Sequence, residues 1–334
     1  MTRRPLAAAA GVGLLVVLSA APAQAVTGEP VLRLRDPAIT ESSGLVDLGA
    51  TMVTTNDSGS TARLYVLGAD GRTVGTTDFG APTVDVEALA PAGGSSVWVG
   101  DVGDNTGVRR SVQVYRVPVG TGARRVSAAA YELVYPGRRH PDAESLFVDQ
   151  SGRLTVITKS FTGGTAYRAP RRLRPDRPNR LVAVGKIAEY ATDAALLRDR
   201  RHVLVRGYGQ AGVYDVATWR RVGGFDLPAQ PQGEGVSVGP GGRVRLSSEG
   251  VGTPVLQVAL PPSLRRELRS GGSPSATPAP TPAPTPNQAT AARDGSSRGT
   301  TASDRPWRRW AVPGVLVAGV LALGSGLVLR RRGR

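Results

Sequence analysis

Apolar residues along the chain come in short runs of alternating or near-continuous Val, Leu, Ala and Tyr, broken every few residues by Gly, Asp, Asn or Pro. No stretch between residues 26 and 270 sustains the three-to-four spacing of a helix, so the pattern predicts an all-β body. The runs also repeat. An acidic or small entry leading into Leu or Val recurs at Glu41–Leu45, Asp85–Leu89, Asp142–Leu146, Asp193–Leu196 and Gly233–Val236. After each comes a turn and a second strand, at 51–55, 97–100, 154–158, 203–205 and 244–246. A third strand follows, often carrying Tyr, at 64–66, 114–117, 166–168, 213–216 and 255–258.

The fixed apolar positions Leu45, Leu89, Leu146, Leu196 and Val236 are separated by 44, 57, 50 and 40 residues. Four-strand units of that length are the signature of β-propeller blades. Five blades fit the span, with a sixth, degenerate blade inside the long 89–146 interval as the alternative and a two-sheet sandwich as the competing architecture. The last unit has only three strands, while Val31–Arg35 is an orphan strand ahead of the first. The N-terminal strand is therefore expected to close the ring as the outer edge of the last blade.

The flanks change the picture of where this body sits. Residues 1–25 carry Arg3 and Arg4, an apolar run from Leu6 to Ala21, and the small-residue site Ala23-Gln24-Ala25, the layout of a cleavable signal peptide. Sec export fits better than the twin-arginine route, whose pattern is lost after Leu6. Residues 271–306 are rich in Pro, Thr, Ala, Gly and Ser and predict a disordered, partly polyproline tether. Residues 307–329 predict a transmembrane helix with Trp307 and Trp310 at its edge, and 330–334 a basic cytoplasmic tail. The expectation is a single-pass cell-membrane protein with an exported, monomeric ectodomain.

Composition then excludes several chemistries. There is no Cys, which rules out disulfides and thiolate sites, and only two His, which argues against a multi-His zinc site. The formal net charge is +16, of which the body at 26–270 holds +7. Export and an aromatic content of 5% argue against nucleic acid. The basic cluster Arg171, Arg172, Arg174, Arg177 and Arg180 falls in a Pro-containing loop, read as solvated or as a contact for anionic wall polymer or lipid headgroups. No Gly-x-Ser-x-Gly, P-loop or His-Glu-x-x-His is present.

Candidate chemistry lies at repeated acidic positions near strand ends. Asp57, Asp101, Asp104, Asn105 and Asp142 are candidate ligands for a hard cation such as Ca²⁺, which takes six to eight oxygens. Turn capping and blade-to-blade ties compete for the same residues. His140, Lys159 and Glu144 are the candidate catalytic groups, against a loop histidine, a salt-bridged lysine and an architectural glutamate.

Asn56-Asp57-Ser58-Gly59, Gly100–Asn105, Pro141–Leu146 and Thr158-Lys159 together resemble exported actinobacterial propeller proteins of the WD-repeat-like and esterase-like-phytase type. They are more distantly similar to gluconolactonase-type propellers. The resemblance covers about residues 36–260 and implies the fold and an exported location. It transfers no ligand set. The sequence reading is thus a membrane-anchored binding or interaction module for wall polymer or protein. The alternative is a Ca²⁺-dependent hydrolase of phosphoesters or lactones acting at the channel.

Overall fold

The computed structural model describes residues 25–57, 62–137 and 140–270. The signal peptide expected before Val26, Ala25 apart, and the tether, span and tail expected from 271 onward lie outside the described residues. Among the described residues no helix is long and apolar enough to cross a membrane.

Five sheets follow one another along the chain as propeller blades, each built on antiparallel strands. Blade 1 comprises β2 (Ser42–Asp47), β3 (Met52–Asn56), β4 (Arg63–Leu67) and β5 (Thr73–Asp78). Blade 2 comprises β6 (Val86–Pro91), β7 (Ser96–Asp101), β8 (Val112–Pro118) and β10 (Ala130–Val134). Blade 3 holds β11 (Ala143–Val148), β12 (Leu154–Thr158), β13 (Gly164–Arg168) and β15 (Val182–Ile187). Blade 4 holds β16 (Asp193–Leu196), β17 (His202–Arg206), β18 (Gln210–Asp215) and β19 (Arg221–Asp226). Blade 5 holds β20 (Gly233–Val238), β21 (Val244–Ser248) and β22 (Pro254–Val258).

β1 (Gly28–Arg33) pairs antiparallel with β22 as the outer strand of blade 5. The orphan strand thus closes the ring as its position predicted. It is tightly seated, because a Cβ at Gly28 would lie 2.8 Å from Leu256 and 2.9 Å from Pro228. The first strands β2, β6, β11, β16 and β20 pack side by side, and β20 returns against β2.

The core follows from that ring. Apolar side chains form five clusters, one at each junction between blades. Phe147, Ile157, Val203 and Tyr214 join blades 3 and 4, for example, and Leu34, Leu45, Tyr65 and Val255 join blades 5 and 1. Most of the apolar side chains on each blade are buried where a neighbouring blade covers them, as a repeat architecture requires.

The long 89–146 interval holds no sixth blade. Its surplus forms β9 (Gly122–Arg125), which leaves blade 2 and adds to blade 1 as a fifth strand, parallel to β5. A second loan follows in the arginine-rich loop, where β14 (Asn179–Arg180) leaves blade 3 to pair parallel with β10 of blade 2. Asn179 is buried and pins this loop, its amide donating to the carbonyls of Glu132 at 3.0 Å and Arg174 at 2.9 Å. A short helix not anticipated in the sequence, α1 (Pro262–Arg269), packs Leu264 against β19.

Candidate functional site

Four of the five first strands are interrupted at their entry. β6 and β11 each carry one extra residue opposite the second strand, Glu87 and Glu144. β2 and β20 carry two residues against one, Ser43-Gly44 and Glu234-Gly235. β16 pairs with β17 without a break. A bulge re-aims the side chain it releases, and here it gathers Glu87, Glu144 and Glu234 at one end of the ring, each about 95% buried. Ser43 supplies the corresponding group of blade 1 and donates to the Glu87 carboxylate at 3.1 Å.

Three carboxylates converge between blades 1 and 2. Asp57, at the end of β3, meets Asp85 and Glu87 with oxygens all within 4.8 Å of one another. Asn105 donates to Asp85 Oδ2 at 3.4 Å. Burial, then the charges of Asp57 and Asp142, push the Asp85 carboxyl up to about 6. Burial, then Glu144 and Asp57, push Glu87 up to about 10. The chain also leaves no spare room: a Cβ at Gly103 would lie 2.3 Å from Asp85 Oδ2 and 2.8 Å from Glu87 Cγ.

A second group lies between blades 3, 4 and 5. Lys159, just after β12, forms a short ion pair with Glu144 and donates to Tyr208 Oη at 3.3 Å. Burial acts to lower the Lys159 pKa, but Glu144 outweighs it and holds the ammonium above its ordinary value. Burial drives Glu144 up to about 8 against the pull of Lys159. Burial likewise raises Glu234 to about 7, with Lys159 opposing it. The two groups share one electrostatic field, since Glu144 is among the causes of the Glu87 shift.

An aromatic shelf borders this second group. Phe161, 91% exposed, stacks on Tyr190 with ring centroids 4.4 Å apart, and Tyr190 neighbours Tyr208 at 5.9 Å. Lys159 Nζ lies 5.2 Å and 5.5 Å from the two Tyr centroids, a cation–π arrangement.

The candidate residues thus divide. Asp57, Glu144 and Lys159 stand at the convergent end of the ring. Asp101 instead accepts the Asp85 amide at 2.8 Å and Arg109 Nη1 at 2.9 Å. Asp104 accepts the Val108 and Arg109 amides at 3.0 and 2.8 Å. Asp142 accepts the Asp104 amide at 2.8 Å, tying blade 3 to blade 2. Asn105 reaches the cluster through Asp85. His140 bonds the Arg109 carbonyl through Nδ1 at 2.6 Å, a loop contact that requires the proton on Nδ1.

Asp85, Glu87 and Glu234 lie in the repeated first-strand entries of blades 2 and 5, whereas Tyr190, Tyr208 and Phe161 fall outside every motif of the sequence. Their one sequence signal is aromatic residues in polar loops of a chain with few aromatics.

No protein-family model and no curated protein matches the chain. Among solved structures it is similar to a gluconolactonase of Xanthomonas campestris, at 16% identity over 72% of this chain and 88% of that one, with a TM-score of 0.43. It is also similar to a streptogramin B lyase, at 11% identity, 70% and 98% coverage and a TM-score of 0.40. Against the hydrazine synthase of Kuenenia stuttgartiensis, at 14% identity and a TM-score of 0.38, it covers 63% of this chain and spans just over half, 56%, of that one. The β-propeller itself rests on the strand pairing described above.

Proposed function

We propose that the convergent end of the ring binds a divalent cation of the Ca²⁺ class and hydrolyses an ester-type substrate, a phosphoester or lactone. The observation that carries this reading is the convergence of Asp57, Asp85 and Glu87. Three hard oxygen donors, two of them buried, suit a hard cation and leave coordination places for water or substrate. A bound cation would polarise the substrate's carbonyl or phosphoryl oxygen.

This chain's own residues supply the rest. Glu234, its carboxyl raised to about 7, takes a proton from an attacking water and returns it to the leaving oxygen as the ester C–O or P–O bond breaks. Lys159, fixed as a cation by Glu144, offsets negative charge on the substrate. The shelf of Phe161, Tyr190 and Tyr208 walls one side.

The test is thermal unfolding of the full-length protein in EDTA and in millimolar Ca²⁺, followed by assay of aryl phosphoesters and lactones. Saturation at about a hundred times Kd adds roughly 2.7 kcal/mol, or about 5–10 °C for a domain of this size. Absence of any shift and of bound metal would sink the reading.

The exposed aromatic shelf favours a second reading, a binding module in which ring stacking rather than turnover is the function. On either reading we place the propeller on the outer face of the cell membrane, held by one C-terminal span, with wall polymer or a protein as partner.

A further inference from the structure

The opposite end of the ring has a different chemistry. Two residues beyond Ser43, Glu87 and Glu234, about 6.7 Å along the strands, Leu45, Leu89 and Val236 form an apolar layer no more than 2% exposed. Beyond that layer a cavity of about 370 Å³ opens, lined by Leu45, Leu89, Phe147, Leu196 and Val236, one side chain from each blade. Its lining includes none of the carboxylates at the convergent end. Its volume is within the range of small-molecule sites, which combine apolar side chains with a few polar groups, here Asp149, Ser237 and Arg200.

Of the two charged residues in the lining, Asp149 and Arg200, the arginine stands out. Arg200 lines the cavity and holds φ at +59°, in the left-handed region that disfavours a long side chain. It sits in the turn after β16, its amide bonded to the Leu197 carbonyl at 2.8 Å. Glycine would serve such a turn at lower cost, so the turn alone does not explain an arginine here. Among the described residues the guanidinium makes only a long bond, 3.4 Å, to the Gln150 carbonyl, and it is exposed. The acid beside it is committed elsewhere: Asp149 accepts Ser151 and Arg153 amides and lies near Arg168.

We infer that this cavity is a second binding site, independent of the carboxylate end, for a small apolar anion. Its hydrocarbon or aromatic body fills the five-blade apolar cup, and its carboxylate pairs with Arg200 at the rim. A guanidinium presents a fork matched to a carboxylate, which is the geometry such a head group needs. A cation of the same shape gains the apolar contact but meets Arg200 as a like charge.

The experiment titrates the full-length protein with naphthoate and with naphthylmethylamine, which share an apolar body and differ in charge. Naphthoate is expected to bind, and naphthylmethylamine to bind at least roughly tenfold more weakly. Arg200→Asn, which tolerates the same backbone, is expected to remove that preference while leaving the unfolding temperature unchanged. Ala195→Phe, placed on the cavity wall, is expected to abolish binding. Equal affinity for the two probes, binding of naphthoate unaltered by Arg200→Asn, or no binding of either would each overturn the inference. Because the cavity shares no residue with the carboxylate cluster, adding EDTA separates the two sites: naphthoate binding is expected to be indifferent to it, and dependence on a cation would overturn the second site.

Discussion

Asp193 and Arg206 face each other on β16 and β17 of blade 4, both fully buried, and each reaches across to the backbone of blade 5. Asp193 Oδ2 accepts the Val236 amide at 2.7 Å, while Arg206 Nη1 donates to the carbonyls of Gly235 at 2.6 Å and Ser247 at 2.8 Å. Burial lowers the Arg206 pKa to about 10 and raises that of Asp193 well above the carboxylate range. Arg206→Ala should therefore leave the Gly235 and Ser247 carbonyls without the donor they share, costing about 1–3 kcal/mol for each buried group left unpaired. Urea unfolding of the variant checks this, and a loss below 1 kcal/mol would be roughly what an exposed arginine gives.

Stability should depend on pH in a direction set by the raised carboxyls. Burial pushes the carboxyls of Glu234 and Glu87 up to about 7 and 10 in the folded protein, above the value of 4.5 for a free Glu. The folded state then binds more protons than the unfolded one between those limits, so stability falls as pH rises from about 5 toward 8 in EDTA. Each group contributes a slope of at most about 1.4 kcal/mol per pH unit. Glu87→Gln should flatten the slope, and chemical denaturation at a series of pH values measures it.

Gly103 offers a test of the carboxylate cluster that leaves its oxygens in place. A Cβ there would press on Asp85 and Glu87. Gly103→Ala is expected to reduce the Ca²⁺-induced rise in unfolding temperature by more than half. A rise equal to that of the parent protein would mean the cation sits elsewhere.

Lys159 pairs with Glu144, and its charge also acts on Glu234. Lys159→Met should abolish hydrolysis while retaining Ca²⁺ binding at Asp57, Asp85 and Glu87. Calorimetric titration with Ca²⁺ beside a turnover assay separates the two effects. Loss of both would show one undivided site.

Ring closure predicts the effect of a short deletion. A chain lacking residues 25–33 loses the outer strand of blade 5 and exposes Leu256 and Val255, so cooperative thermal unfolding should disappear. A cooperative transition in that chain would show that three strands suffice.

Much of the fold was legible because a propeller writes its period into the apolar positions. Leu45, Leu89, Leu146, Leu196 and Val236 all fall on first strands, and Tyr65, Tyr115, Tyr167 and Tyr214 all fall on third strands. The strand loans were not legible. β9 is Gly-Ala-Arg-Arg, exposed at every position, and carries no alternation to announce a strand. The carboxylate cluster was half legible: its acids stood out by repetition, but their convergence depends on bulges, which are features of pairing register. Asp57 and Asp85 come from different blades, and no local pattern shows that they meet. Arg206 ends an apolar run and reads as a strand-end charge, since only the blade 5 carbonyls explain its burial.

The two loaned strands alter what counts as a module in this chain. β9 makes blade 1 incomplete without a segment between two strands of blade 2, and β14 makes blade 2 incomplete without a segment between two strands of blade 3. Both loans begin and end within Ser42–Ile187. Duplicating, deleting or grafting blade 2 alone would cut through sheets on either side of it. The smallest piece that inheritance or an engineer can move with every strand still paired is the three-blade block. The uneven repeat lengths in the sequence are the trace of that indivisibility.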